Sequence, residues 1–490
     1  MTSFPSMNSR ALNRNNHWQF FFSPNSVAVI GASNTPGSWG YGIMKRLLDS
    51  GGRVIYPVNS SSSEVLGVKA YGSVTGIPGT IDLAVIAVPA PQVPGILQEC
   101  VQKKVGAAAI ISAGFAESGE PGRELESELV DIAYRGGLRF LGPNSMGHMD
   151  SSTCLSTVAW IKELKPGPVA VISQSGNYGE QIIYSGAAMG IGFSKFISSG
   201  NEADLHLEDY LEYLAQDEKT AIIAAYIEGL REGRRFFRLA KETTVRKPII
   251  VIKSGGTAGS VRAARSHTGA LAGSDEVYSG AFKQAGVIRV TDEGELCDVA
   301  VALLHQPLPM GNRVAILTIG GGLGVIAAEA CEKAGLELAV LAPSTVARLN
   351  SYLPDRWSHA NPVDVAGVGG ARREIMYNSL WALMADGNID AVLFQTPLVF
   401  GADHIASIAG FNAEETLAYQ QMLKEQLSTV AQRVKEYGKP VFMVTAVTDA
   451  EAYPFLRGVG IPIYSSPYRA ANVLRHLCWY YRYLNSASER

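Results

Sequence analysis

The sequence predicts an α/β fold of three doubly wound parallel-sheet domains in series. Three observations predict it. A unit of strand, glycine-containing turn and helix occurs three times: VAVIGASNTPGSWGYGIMKRLL from Val27, VAVISQSGNYGEQIIYSGAAMG from Val169 and VAILTIGGGLGVIAAEACEKAG from Val314. Each unit opens on a β-branched run with no polar face, as expected of a strand buried on both sides within a parallel sheet. And 490 residues exceed one hydrophobic core, since a domain takes about 150 residues.

Residues 1–24 are polar apart from WQFFF, a patch too short for a signal-peptide core, and are expected to form a loosely held extension. The first domain is expected over 25–150. After Val27 its strands are RVIYPVN (53 to 59), IDLAVIAVPA (81 to 90), GAAAIISAGF (106 to 115) and LRFLGPN (138 to 144). The second, over 151–307, adds FSKFISSG, AIIAAYIEG and PIIVIKSGG. The proline-rich HQPLPMGNR marks a linker, and the third domain over 308–490 adds DAVLFQTPL and PVFMVTAV.

Composition narrows the function. Apolar residues make up 47%, charged residues 18%, and the net charge is −3. No basic surplus points to nucleic acid or an anionic membrane, and no apolar run approaches the length of a membrane span. Five cysteines, Cys100, Cys154, Cys297, Cys331 and Cys478, are scattered without CxxC spacing. That argues for a reducing cytoplasm and against a cysteine zinc cluster or a disulfide framework.

Each glycine turn places a helix N-terminus at the carboxyl edge of a sheet, where N–H groups and the helix dipole favour an anion. In the first unit the turn suits a nucleotide-like ligand with phosphates. A nicotinamide fold ends its second strand in Asp or Glu, which binds the ribose hydroxyl. Here that strand ends in Asn59, followed by Ser60 to Ser63, which disfavours an NAD(P)-dependent oxidoreductase. No GxxxxGK[ST] phosphate loop occurs. His267 stands in a loop of small residues, RSHTGALAGSD, which leaves room for a bulky group on its imidazole.

In order along the chain, GASNTPGSWG, VPAP (88 to 91), ISAGF, GPNSMG (142 to 147), SQSGNYGE, IEG (227 to 229), SHTGALAG, IGGGLG (319 to 324) and NPVDV (361 to 365) make the chain resemble the α chain of the ADP-forming acyl-CoA synthetases, relatives of succinyl-CoA synthetase. The resemblance implies a Rossmann-like CoA-binding domain followed by two flavodoxin-like CoA-ligase domains. It implies that acyl-CoA, ADP and phosphate interconvert with acid, CoA and ATP through an acyl phosphate and a phosphohistidine. The ATP-grasp domain, with Mg²⁺ and ATP or ADP, would sit on a partner β chain in an α2β2 assembly, and the acid would be a small carboxylic acid.

The family's site residues carry over as follows. His267 would be the phosphorylated histidine and Glu228 the carboxylate that orients it, leaving the attacking nitrogen unprotonated. CoA would lie on Gly31, Ala32, Ser33, Pro36 and Gly37, with Val88, Pro89, Ala90, Ala113, Gly114 and Phe115 near its pantetheine arm. Ser173, Ser175 and Gly176 in one domain and Gly321 and Gly322 in the next would receive the phosphoryl group, each helix end contributing roughly 0.3 to 2 kcal/mol.

The chain departs from the family where succinyl-CoA synthetases carry a lysine after the second strand. Ser60 to Ser63 stand there, so either Lys45 or Arg53 would meet CoA's phosphates instead, or the phosphates would be held less tightly. Ser145 replaces a cysteine common among relatives. The other seven histidines show no ligand spacing and read as structural, Asp364 reads as a turn cap, and REGRRFFR (231 to 238) reads as a solvated helix face. A CoA-binding regulator without turnover is the remaining alternative.

Overall fold

The computed structural model describes residues 17–257, 259, 274–365, 373–395, 407, 409–445 and 460–488. The chain divides into two compact units, Met1–Ala187 with Ile191–Glu293, and Ala188–Gly190 with Gly294–Arg490. The first unit holds two of the three large sheets and the second unit holds the third.

The first sheet begins with β1 (Ser26–Ile30) and β2 (Val54–Val58), passes a small hairpin of β3 (Glu64–Val65) and β4 (Val68–Lys69), and continues with β5 (Leu83–Ile86), β6 (Ala107–Ile110) and β7 (Phe140–Leu141). Its order is β2-β1-β5-β6-β7 and every pair is parallel. Alternate residues feed opposite cores, as the strand period of two requires. Val27, Val29, Leu83, Val85, Ala107 and Ala109 pack with Ile43, Met44 and Leu47 of the helix Trp39–Ser50. Ala28, Ile30, Ala84, Ile86, Ala108 and Ile110 pack with Val93 and Leu97 of Val93–Lys103 and with Leu129 and Ala133 of Glu120–Gly136.

The second sheet comprises β8 (Gly147–Asp150), β9 (Leu155–Ser156), β10 (Pro166–Ser173), β11 (Phe193–Ser198), β12 (Ile222–Ile227), β13 (Ile249–Lys253) and β14 (Ile288–Val290), in the order β14-β13-β12-β10-β11-β8-β9. β10 to β14 run parallel, while β8 and β9 form an antiparallel edge that the sequence reading did not anticipate. Such an edge is common on doubly wound sheets. Lys195 of β11, 2% exposed, lies 3.2 Å from Asp150 and 2.8 Å from Asp217, which ties that edge to the loop after the helix Leu207–Gln216.

The expected loose extension is ordered at its end. His17–Phe22 forms a helix whose Phe21 and Phe22 are 1% and 4% exposed. Phe22 stacks on Tyr213 at 5.0 Å, and the Phe21 carbonyl lies 2.7 Å from His148 Nε2. Burying two phenylalanines contributes about 1.5–3 kcal/mol each, enough to hold one helical turn and a half that could not persist alone.

In the second unit β15 (Arg313–Thr318), β16 (Glu337–Leu338), β17 (Val363–Asp364), β18 (Ala391–Gln395), β19 (Val441–Val444) and β20 (Ile463–Tyr464) form a parallel sheet around β15 and β18. A core of Leu317, Leu380, Leu383, Val392, Phe394, Leu427 and Val441 covers one face. Asp298, 2% exposed, is held by Arg469 of the helix Pro467–Ser488 at 2.6 Å. Among the described residues no helix is long and apolar enough to cross a membrane.

Candidate active site

In the first unit, the carboxyl ends of β5, β6, β10 and β12 open on one cleft of about 1000 Å³, the position at which doubly wound sheets take ligands. Ala87, Val88 and Pro89 follow β5. Ile111, Ser112 and Ala113 follow β6. Gln174, Ser175, Gly176 and Asn177 follow β10, and Glu228, Gly229, Leu230 and Arg231 follow β12. Asn144, Ser145, Met146, Asn201 and Glu202 also belong to the wall.

The first glycine turn leads toward this cleft. Gly31 has φ +87°, and a Cβ there would stand 2.3 Å from the Ala87 carbonyl oxygen, so only glycine fits. Gly40 has no room either: its Cβ would meet the Gly31 carbonyl at 1.9 Å, which lets the helix Trp39–Ser50 approach β1 closely. Ser38 caps that helix, accepting the Tyr41 N–H. Asn34, Thr35, Pro36 and Gly37 are exposed, Ala32 is buried, and Gly37, at φ +84°, faces open space. Trp39, just beyond the turn, lines the cleft and packs edge-on against Trp160 at 5.6 Å.

Asn59, where a carboxylate would hold a ribose, has another task. Its Nδ2 donates to the Ala32 carbonyl at 2.8 Å, and its Oδ1 accepts the N–H groups of Ser61 and Ser62. The side chain thus fixes the glycine turn to the serine loop. The two cations considered for CoA's phosphates are differently placed. Arg53 is committed to the Gly51 carbonyl, the Ser50 hydroxyl and the Thr153 carbonyl. Lys45 is half-exposed and pairs with Asp49 at 3.3 Å.

Of the residues expected near the pantetheine arm, Val88, Pro89 and Ala113 line the cleft. The Ser112 hydroxyl joins their two loops, donating to the Val88 carbonyl at 2.6 Å and accepting its N–H at 3.2 Å. Ala90 and Phe115 instead put their side chains in the core, at 7% and 0% exposure. The Gly114 and Phe115 N–H groups donate to Glu117 Oε1. Burial alone would raise the Glu117 pKa, but hydrogen bonds from Asn201, Gly114 and Phe115 outweigh it and hold the carboxyl low.

At the second turn, Ser175 and Gly176 lie in the cleft and the helix Gly176–Ala188 begins there. Ser173 is fully buried and donates to the Ser175 carbonyl, shaping the turn from beneath. A Cβ at Gly176 would meet Met146 Cγ at 2.3 Å. Glu228 opens into the same cleft, so the structure brings this carboxylate and this helix N-terminus together. His267 lies outside the described residues. Gly321 and Gly322 open the helix Gly321–Lys333 in the second unit, with Gly320 as its extended N-cap and no heavy atom within 4 Å of a Cβ built on Gly322. Asp364, read as a turn cap, ends β17, and its Oδ2 is 3.5 Å from a Cβ built on Gly321.

Several cleft residues escaped the sequence reading. Asn201 is a hub: its Nδ2 donates to Glu117 and Glu126, its Oδ1 accepts from Asn144, and its carbonyl accepts from Arg231. REGRRFFR is therefore more than a solvated face. Arg231 reaches the cleft, Arg235 is clamped by Asp209, Glu212 and Glu232, and Phe236 is buried. Glu202, 2% exposed, has its carboxyl pushed up to about 8 by burial, against the hydrogen bond from Ser199. A lone Glu, Asn or Arg carries no motif, and only the fold collects them. His148, read as structural, is fully buried between Phe21 and Thr157, and burial brings its pKa to about 4.

Comparison with known proteins places these features. Residues 25–151 match the model of a CoA binding domain, and residues 166–303 match that of a succinyl-CoA ligase like flavodoxin domain. The chain is 43% identical over 453 residues to the α subunit of acetate–CoA ligase [ADP-forming] II of Pyrococcus furiosus, covering 91% of this chain and 94% of that one. It is 44% identical over 372 residues to acetate–CoA ligase [ADP-forming] I of Archaeoglobus fulgidus, a stretch that makes up 76% of this chain but 54% of the relative. A dinucleotide-forming acetyl-coenzyme A synthetase 1 of Ca. Korarchaeum cryptofilum, solved with phosphate and ADP, superposes with a TM-score of 0.82 at 32% identity, covering 96% of this chain and 98% of that one. With two domain models side by side and a relative matched almost end to end, the chain belongs to the ADP-forming acyl-CoA synthetases, as a counterpart of their α subunit.

Proposed function

We propose that this chain is the α subunit of an acyl-CoA synthetase that interconverts acyl-CoA, ADP and phosphate with acid, CoA and ATP. The observation that carries the reading is the cleft in which Glu228 and the Ser175–Gly176 helix N-terminus meet the Val88–Pro89 and Ala113 loops. CoA would be held by the turn from Gly31 to Gly37, whose open side at Gly37 leaves room for phosphates. Its pantetheine arm would run past Val88, Pro89 and Ala113.

In the acyl-forming half, a phosphate oxygen attacks the thioester carbonyl carbon and the C–S bond breaks, releasing CoA and leaving an acyl phosphate. The unprotonated nitrogen of His267 then attacks phosphorus, the P–O bond to the acyl group breaks, and the carboxylic acid leaves as its carboxylate. Glu228 would accept the N–H of the other ring nitrogen, fixing the tautomer and balancing the charge that develops on the ring. The Ser175–Gly176 N–H groups would meet the phosphoryl charge in place of water. ADP then takes the phosphoryl group, and an ATP-grasp β chain with its Mg²⁺ would supply that site in an α2β2 assembly. Five cysteines free of disulfides support placement in a reducing cytoplasm.

The decisive experiment labels the histidine. With acetyl-CoA and radiolabelled phosphate, the α–β complex is expected to gain a label on His267 that acid removes and alkali spares, the signature of a phosphoramidate. His267→Ala loses both label and ATP formation, while acyl phosphate still forms, because that step uses CoA as leaving group. ATP formation at the normal rate by His267→Ala would sink the reading, as would a chain that binds CoA yet never labels.

A further inference from the structure

The Glu228 backbone is gripped from both sides by side chains to which the motifs assign no role. On one side stands Gln174, the residue between β10 and the phosphate turn. Its Oε1 accepts the Glu228 N–H at 2.5 Å and the Gly229 N–H at 3.0 Å, and its Nε2 donates to the Gly229 carbonyl at 2.8 Å. Its own N–H donates to the Tyr226 carbonyl at 3.3 Å. One amide side chain therefore prolongs the β10–β12 pairing past the point where both strands have ended. On the other side stands Lys253, the last residue of β13, 8% exposed. Its Nζ donates to the Glu228 carbonyl at 2.9 Å and also to the Ser254 carbonyl, and it sits 4.5 Å from the ring centroid of Tyr278. The Ser254 N–H closes the arrangement on the Ile227 carbonyl at 3.0 Å.

Accordingly we infer that Gln174 and Lys253 are positioning residues for the Glu228 carboxylate, Gln174 locking it to the phosphate turn and Lys253 to the start of the segment that carries His267. The inference rests on the function proposed above and deepens it. The physical ground is that residues just past a strand have no ladder to hold them. Such a loop would let a carboxylate wander by an ångström, and that displacement is enough to slow an oriented reaction about 10- to 100-fold. Here both polar groups of the Glu228 peptide, N–H and C=O, are anchored to neighbouring strand ends. The two clamps are not interchangeable with bulk packing. Gln174 offers an acceptor flanked by a donor, which pairs with the Glu228–Gly229 backbone as a strand would. Lys253 spans two carbonyls from beneath, with an aromatic face holding its charge in place.

The test compares variants in the α–β complex, using acetyl-CoA and radiolabelled phosphate to follow the rate of His267 labelling. Gln174→Met and Lys253→Met are each expected to slow labelling about 10- to 100-fold, with the KM for acetyl-CoA and the calorimetric affinity for CoA unchanged. Gln174→Glu, which keeps the acceptor for the two N–H groups, and Lys253→Arg, which keeps a donor, are expected to recover part of the rate. The sharper readout is non-additivity: Gln174→Met combined with Glu228→Gln should label no more slowly than Glu228→Gln alone, because both changes remove the same placed carboxylate. Labelling of Gln174→Met at the wild-type rate overturns the inference. So does a double variant whose losses multiply, or a loss of CoA affinity and melting temperature in step with the rate, since each marks a merely structural role. Failure of the wild-type complex to label at all is a separate result, and it strikes the proposed function instead.

Discussion

Glu202 keeps its proton where an ordinary glutamate has lost it. Burial pushes its carboxyl from 4.5 up to about 8, and the hydrogen bonds it accepts, that from Ser199 foremost, do not offset the loss of water. In the unfolded chain the same group ionises near 4.5. Between about pH 4.5 and 8, unfolding therefore releases a proton, and the stability tied to this residue falls as pH rises, by at most about 1.4 kcal/mol per pH unit. Below 4.5 both states are protonated and the contribution is whole. Above 8 both are ionised and the loss is complete. His148 slopes the other way: burial lowers its pKa from 6.5 to about 4, so unfolding takes up a proton below 6.5 and stability falls with acid. Glu202→Gln is expected to melt above the wild type, with a gap that widens from about pH 5 to pH 8 and then levels off. Calorimetric scans across that range check it, and a gap that stays constant with pH would show that the carboxyl is not held neutral.

At the scale of the element, the Gly31–Gly37 turn separates two jobs that the sequence writes with one letter. Gly31 is required by the fold: its φ is +87° and an added methyl would strike the Ala87 carbonyl at 2.3 Å. Gly37 shares the positive φ but faces open space, so a side chain there would meet no protein atom and, on the proposed reading, would obstruct the ligand. Gly31→Ala is expected to lose folded yield. Gly37→Asp is expected to fold, with a melting temperature a few degrees lower, and to weaken CoA binding by about tenfold or more, roughly 1.4 kcal/mol, since a carboxylate would occupy the phosphate cradle. Calorimetry with CoA decides it, and wild-type affinity in Gly37→Asp would remove the turn from the CoA site. The same contrast explains what could be read in advance. The strand–glycine–helix units were legible because strands buried on both faces are apolar throughout and the turn residues adjoin them in sequence. Gln174 meets Glu228 across 54 residues and Asn201 meets Glu117 across 84, and no local pattern records such pairings. The antiparallel edge strands β8 and β9 are four and two residues long, too short to show a period.

For the molecule as a whole, the question is which half of the chemistry this chain holds. It covers 94% of a Pyrococcus furiosus α subunit but 54% of the Archaeoglobus fulgidus relative that bears no subunit designation. In the second case nearly half of the relative lies outside the shared stretch. The cleft of the first unit gathers Val88, Pro89 and Ala113, Glu228 and one helix N-terminus, which on the proposed reading suits acyl transfer to phosphate and then phosphoryl transfer to histidine. Neither a Gly-rich loop with GK[ST] nor any cluster of acidic and histidine side chains able to hold a metal ion is found, the first in the 490-residue sequence and the second among the described residues. On the proposed reading, ADP with its metal ion is expected to be bound by a partner chain. The chain purified alone should bind CoA, as titration calorimetry would show, and should form no ATP from acetyl-CoA, ADP and phosphate. Adding a β chain, or the unshared half of the longer relative as a separate polypeptide, should restore ATP formation, with a rate that saturates as the second polypeptide reaches equimolar amounts. Saturation distinguishes a stoichiometric partner from a contaminating enzyme, whose activity would rise in proportion to the amount added. Sustained ATP formation by the chain alone, at a rate that tracks its own concentration through successive purification steps, would show that the nucleotide site lies within these 490 residues and that the division of labour argued here is wrong.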